Sequence, residues 1–177
     1  MLAFRLTVTF IFACFVALPA AQAQPEGAAP YFEGPSHLIL PLQQGPDGKL
    51  FVNAVVRGRT LTSMVDTGAP TIIDLGVAQH LGLALKDTAD VAYGLTGISG
   101  TRKDVTVDLY LGALKIGGFR TSCLDLAAMR NLHREVNMPV FDGVIGSDLL
   151  ALLRARIDFA SHTLEIRSPN AESFAPH

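Results

Sequence analysis

Residues 64–74, Met64-Val65-Asp66-Thr67-Gly68-Ala69-Pro70-Thr71-Ile72-Ile73-Asp74, set an acid inside an apolar run. Val65 before it and Ile72-Ile73 after it belong in a core, whereas an ionised Asp66 does not. A buried carboxylate costs several kcal/mol unless it is paired or takes up a proton. The residues that follow suggest how it is tolerated. The Thr67 hydroxyl can donate and accept, and Gly68 allows close backbone approach and presents its N–H toward a carboxylate. Alone, Asp-Thr-Gly-Ala is compatible with a plain surface turn. It also fits a phosphorylated Asp, but that setting needs a parallel sheet in a large α/β domain, for which this chain has no room.

Outward from this stretch the chain reads as short β-type runs separated by turn residues. HLILPL (37–42) is an edge strand, since Pro41 fits only an edge or a bulge. Gly45-Pro46-Asp47-Gly48 turns into KLFVNAVV (49–56), and Arg57-Gly58-Arg59 turns again into TLTSMV (60–65). LGVAQHLGL (75–83) is a short helix at best. VTVDLYLGALKI (105–116) and FRTSCLDL (119–126) are expected as strands hinged at Gly117-Gly118. LAAMRNLHRE (126–135) has helical periodicity but also reads as a loop. GVIGSDLLALLRARIDF (143–159) passes from strand through a helix (148–153) into strand, and Ser161-His162 turns a last hairpin into TLEIR (163–167). This pattern indicates an all-β fold, a small and mostly antiparallel barrel or sandwich with one or two short helices.

Three elements together carry a resemblance. The first is Asp66-Thr67-Gly68-Ala69. The second is FDGVIGSDLL (141–150), an apolar-apolar-Gly segment that runs directly into a short helix. The third is AYGLTGISGTRKD (92–104), with Gly94, Gly97 and Gly100 at three-residue spacing and β-type residues after them. That last feature excludes a phosphate loop, which would open a helix there. In this combination residues 49–167 resemble the retropepsin-like (retroviral-type) aspartic proteases, most closely their bacterial exported single-domain members. The resemblance implies a small closed antiparallel β-barrel of the acid-protease type over residues 37–168. It makes Asp66 the catalytic acid and Thr67, Gly68 and Ala69 the supports of its loop. It also makes Val144, Ile145 and Gly146 the wall behind that loop. Tyr93, Gly94, Leu95, Gly97 and Gly100 become a flap that closes over an extended peptide, which would pair with it as an added strand.

Aspartic-protease chemistry needs two carboxylates sharing one proton around a water, and this chain has one Asp-Thr-Gly. The resemblance therefore implies a homodimer in which two copies of Asp66 meet across a two-fold axis. Many retroviral members carry an Asp after the loop's Ala and an Arg after the wall's Gly, an ion pair that fixes loop and dimer. Here Pro70 and Ser147 stand at those positions, so a peptide- or protein-binding β-domain of the same fold, weak or inactive in catalysis, is the alternative.

The remaining features set the context. Arg5, the apolar run Leu6 to Leu18, Pro19 and Ala21-Gln22-Ala23 read as a secretory signal over residues 1–23, too short an apolar run for a membrane span. An exported protein, periplasmic or secreted, with no stable membrane insertion after cleavage is expected. Residues 24–36 read as a flexible lead-in and 169–177 as a disordered tail. With the signal gone Cys123 is the one cysteine, so no intrachain disulfide is expected, and its apolar neighbourhood favours a buried small residue over a free thiol. A net charge of −2 without a Lys/Arg cluster argues against a nucleic-acid partner. The histidines are scattered, with no HExxH and no paired ligand spacing, so neither metal nor cofactor is expected. There is no GxSxG nucleophile elbow. Asp148 reads as a first-turn helix acid, and Asp74 and Asp158 as turn or strand-end acids.

Overall fold

The computed structural model describes residues 29–93 and 99–169. The expected signal and the tail from residue 170 lie outside the described residues. In chain order the elements are β1 (Tyr31–Glu33), β2 (His37–Pro41), β3 (Gln43–Gln44), β4 (Leu50–Val56), β5 (Arg59–Asp66), β6 (Ile72–Asp74), α1 (Leu75–His80) and β7 (Lys86–Tyr93). They continue as β8 (Ser99–Leu111), β9 (Leu114–Leu124), α2 (Ala127–Glu135), β10 (Gly143–Gly146), α3 (Ser147–Leu152), β11 (Arg156–Asp158) and β12 (Thr163–Arg167).

Six of these strands close on themselves in the order β9-β6-β10-β5-β4-β8, with β8 returning to β9. Four of the seams are antiparallel; β10–β5 and β6–β9 are parallel. The closed barrel is thus the fold the sequence implies, although the described residues carry three short helices where one or two are expected. The β4–β5 hairpin follows from its turn. Arg57 and Gly58 both take positive φ, 49° and 76°, with Val56 opposite Arg59, the two-residue geometry whose twist matches that of the strands.

The expected hinge at Gly117-Gly118 falls elsewhere. β8 turns into β9 at Gly112-Ala113, with Leu111 opposite Leu114, and the two glycines form a bulge inside β9. There the pairing steps from Val107↔Phe119 to Leu109↔Ile116. One extra residue is accommodated because Gly118 takes φ +66° and donates its N–H to Asp108 Oδ1 at 2.9 Å. Gly117 has a different reason. The Tyr31 ring occupies the place where its Cβ would be. Residues 31–33, expected in the flexible lead-in, instead pair with Lys115–Gly117 as β1. Phe32 packs on the core and Lys115 reaches Glu33 at 3.2 Å.

Two apolar clusters hold the molecule. The larger fills the barrel and continues under α3 and β12; Leu111, Ile116, Leu149 and Leu164 are wholly enclosed. The smaller comprises Phe51, Met64, Leu126, Phe141 and Val144 and lies outside the barrel wall. β10 therefore faces apolar side chains on both sides, Ile145 inward and Val144 outward, as a strand buried on both faces must. A separate three-stranded sheet, β11-β12-β2, joins the two ends of the domain. Pro41 sits on its edge strand, where a missing donor is harmless.

Cys123 is fully buried on β9. Burial, reinforced by the negative charges of Asp104 and Asp74, pushes its thiol up from 9.0 to about 11. The unfolded thiol ionises at its ordinary value, so this group favours folding below that value. Its contribution is lost as pH rises from about 9 through about 11. Native protein at about pH 8 is expected to leave a chromogenic disulfide reagent unreacted, and denatured protein to consume it. Prompt reaction of the native form would show the thiol to be accessible.

Candidate active site

Asp66 is the last residue of β5 and is half-buried. The chain turns immediately after it, and the turn serves the carboxylate. Gly68 N–H donates to Asp66 Oδ1 at 2.8 Å. Thr67 and Gly68 are exposed, while Ala69 packs against the smaller apolar cluster. One face of the acid is thus open and the other is held by backbone.

Behind the loop lies β10. It runs parallel to β5 with Gly146 beside Asp66, Ile145 beside Val65 and Val144 beside Met64. Val144, Ile145 and Gly146, the residues expected to wall the loop, are buried along this strand. Gly146 has an ordinary φ of −100°; its requirement is steric. A Cβ there would lie 2.1 Å from the Pro70 carbonyl carbon, 2.3 Å from Ala69 O and 2.4 Å from Thr71 N.

Hydrogen bonds fasten loop to wall where the sequence offers no ion pair. Ser147 donates its N–H and Oγ to Ala69 O at 2.8 and 3.2 Å. Asp148 Oδ1 receives Thr71 N at 2.8 Å and Thr71 Oγ1 at 2.6 Å, and the same Thr71 oxygen accepts Gly146 N–H at 3.0 Å. Thr121 Oγ1 closes the set onto Thr71 O at 2.6 Å. Charge-assisted bonds of this kind are short and strong. Asp148 does occupy the first turn of α3, but its carboxylate also holds the loop. Thr71 and Asp148 are the site residues that sequence reasoning missed. A hydroxyl just past the loop, paired with an acid just past Gly146, was the signal available.

Of the residues expected in a flap, the structure describes only some. β7 and β8 pair as antiparallel strands with Tyr93 opposite Ser99 and Ala92 opposite Gly100. Gly94, Leu95 and Gly97 fall outside the described residues. The other acids separate clearly. Asp158 accepts Ala160 N and Ser161 N at 2.8 and 3.2 Å as a turn acid. Asp74, expected to be an ordinary strand-end acid, is buried and bound to Arg130.

Residues 52–149 match the sequence model of the aspartyl protease family, more than half of the chain. The chain belongs to the retropepsin-like aspartic proteases. Its barrel is similar to that of a retropepsin-like aspartic protease from Rickettsia conorii, at a TM-score of 0.53 and 21% identity over 79% of this chain and 94% of that one. Two further structures resemble it. The retroviral protease-like domain of Ddi1 from Leishmania major has a TM-score of 0.47 and 19% identity, over 67% of this chain and 87% of that one. EIAV protease in complex with the inhibitor HBY-793 has a TM-score of 0.46 and 16% identity, over 64% and 95%. No curated protein matches the chain. Within this retropepsin-like family member, the loop at Asp66 and the wall at Gly146 both lie inside the matched residues.

Proposed function

We propose that the protein is an aspartic endopeptidase that works as a homodimer. The observation that carries this reading is the Asp66 loop, an acid held by backbone on one side, open on the other, and present once per chain. Two subunits would bring two such carboxylates together, and like charges in one site leave one of them protonated. The ionised Asp66 takes a proton from water as its oxygen attacks the peptide carbonyl carbon. The protonated partner Asp66 gives its proton to the carbonyl oxygen. Collapse of the tetrahedral intermediate breaks the C–N bond, and the leaving amine receives a proton from the dyad. Thr67, exposed at the loop's tip, is placed to brace the opposing loop. Tyr93, Gly94, Leu95, Gly97 and Gly100 form the flap to which an extended peptide adds as a strand. The leader pattern of residues 1–23 supports an exported enzyme, periplasmic or secreted, acting on peptides or unfolded protein.

Subunit mixing tests the shared site. When the unaltered chain and Asp66→Asn are co-refolded in equal amounts, about one quarter of the dimers carry two acids, whereas a monomeric enzyme would keep about half of its activity. Retained activity at the monomer value would overturn the dimeric mechanism.

A further inference from the structure

Residues 125–142 lie between β9 and β10 and carry α2, to which the proposed reaction assigns no role. α2 turns two polar side chains, Arg130 and His133, inward, while Asn131, Arg134 and Glu135 stay exposed. Leu126, Arg130 and His133 face the molecule while Met129, Leu132 and Val136 are exposed. His133 bonds Pro139 O through Nδ1 at 2.7 Å and meets the Phe141 ring edge-on. Arg130 does more. Its Nη1 donates to Asp74 Oδ1 at 2.9 Å and its Nη2 to Asp142 Oδ1 at 3.3 Å.

These two acids mark the far ends of the strands that frame the catalytic loop. Asp74 closes β6, and its second oxygen accepts Leu126 N–H at 3.1 Å. Asp142 precedes β10, accepts Thr62 N–H at 3.3 Å and donates its own N–H to Thr62 O at 2.7 Å. Asp74 N–H bonds Asp142 O at 2.8 Å, so the two acids meet through backbone as well. At the near ends, β10 finishes at Gly146 and Thr71 immediately precedes β6, while β5, which Asp142 meets at Thr62, ends at Asp66. β6 and β10 are three and four residues long and share two residue pairs, Gly143↔Ile73 and Val144↔Ile72. These ladders are short: β10 keeps four further pairs with β5 and β6 three with β9. β10 is also buried on both faces, so its own side chains discriminate poorly against a one-residue slip, which turns every side chain to the other face. For β10 that would exchange Val144 with Ile145 and withdraw Gly146 from beneath Pro70.

We infer that Arg130 is a positioning residue that pegs this register and thereby holds the Asp66 loop; its effect on turnover rests on the catalytic reading above. Arg130 Nε is buried without a hydrogen-bond partner. An apolar residue would dock α2 without that penalty, so packing alone does not explain a guanidinium here. Buried ion pairs are retained for register more convincingly than for stability. Lysine keeps the charge but lacks the planar fork that spans two carboxylates.

The test uses the mature protein with Arg130→Met and Arg130→Lys, read by peptide-hydrolysis kinetics and by amide hydrogen exchange. Arg130→Met is expected to lower kcat about 10- to 100-fold, as displaced catalytic groups do, with KM changed less than about twofold. Exchange should quicken in residues 66–71 and 143–148 and stay unchanged in β4. Arg130→Lys should fall between. Should Arg130→Met fail to fold, the lysine variant is read by the same criteria. Unchanged exchange at the loop, or a rise spread evenly over the barrel with kcat per folded molecule intact, would overturn the peg. Hydrolysis that survives Asp66→Asn would instead count against the catalytic reading, and loop exchange would still judge Arg130.

Discussion

Asp66→Asn is expected to abolish peptide hydrolysis, by about 10²- to 10⁴-fold, the range that positioned acid–base groups contribute. The substitution is nearly isosteric, and an Asn oxygen can still accept the Gly68 N–H that now reaches Asp66 Oδ1 at 2.8 Å. Fold and thermal midpoint should therefore be preserved, which separates loss of chemistry from loss of structure. The measurement is digestion of a peptide library from about pH 3 to 8, a span that covers carboxylate dyads whose shared proton leaves in two steps. Equal cleavage by both forms would place the activity elsewhere. Binding without turnover by both forms would favour a peptide-binding domain built on the same barrel.

Gly146→Ala should be the most damaging small substitution in the molecule. The added methyl meets Pro70, Ala69 and Thr71 at 2.1–2.4 Å, and all three atoms are backbone. No side-chain rotation relieves such contacts; the loop itself must move. Doing so pulls Ser147 N–H from Ala69 O and Gly146 N–H from Thr71 Oγ1. A cost of at least about 3 kcal/mol is expected, the upper end for overpacking, lowering Tm by about 10 °C in a domain of this size. Gly58→Ala makes the comparison. Nothing lies within 4 Å of that Cβ, so only the strained φ is penalised, at about 1 kcal/mol. Thermal unfolding of the two variants checks the contrast, and a Gly146→Ala midpoint no lower than that of Gly58→Ala would mean that the wall yields easily.

The barrel was legible in the sequence because its strands alternate and its turns are punctuated by glycine, as at Arg57-Gly58. Asp66 and Gly146 stood out in the sequence because each interrupts an apolar run, and the two segments together carry the family resemblance. What escaped reading has a common cause. Arg130 and His133 face inward while Met129, Leu132 and Val136 are exposed, so α2 lacks the buried apolar stripe by which a helix is recognised. The Thr71–Asp148 and Arg130–Asp74–Asp142 contacts join residues 77, 56 and 12 positions apart, a proximity that no local periodicity encodes. β1 was missed because its partner is a bulge, and three residues give no period to detect. The hinge in β8–β9 was misplaced because Gly117-Gly118 looks more like a turn than Gly112 does.

The β11-β12-β2 sheet has a consequence for the order of folding. His37 of β2 and Glu165 of β12 touch across 128 positions. Nearly the whole polypeptide must therefore be made before these strands can zip. Such non-local closure is slow, so this sheet stays unformed until its final strand emerges, whereas all six strands of the closed barrel end by Gly146 and can pair before it.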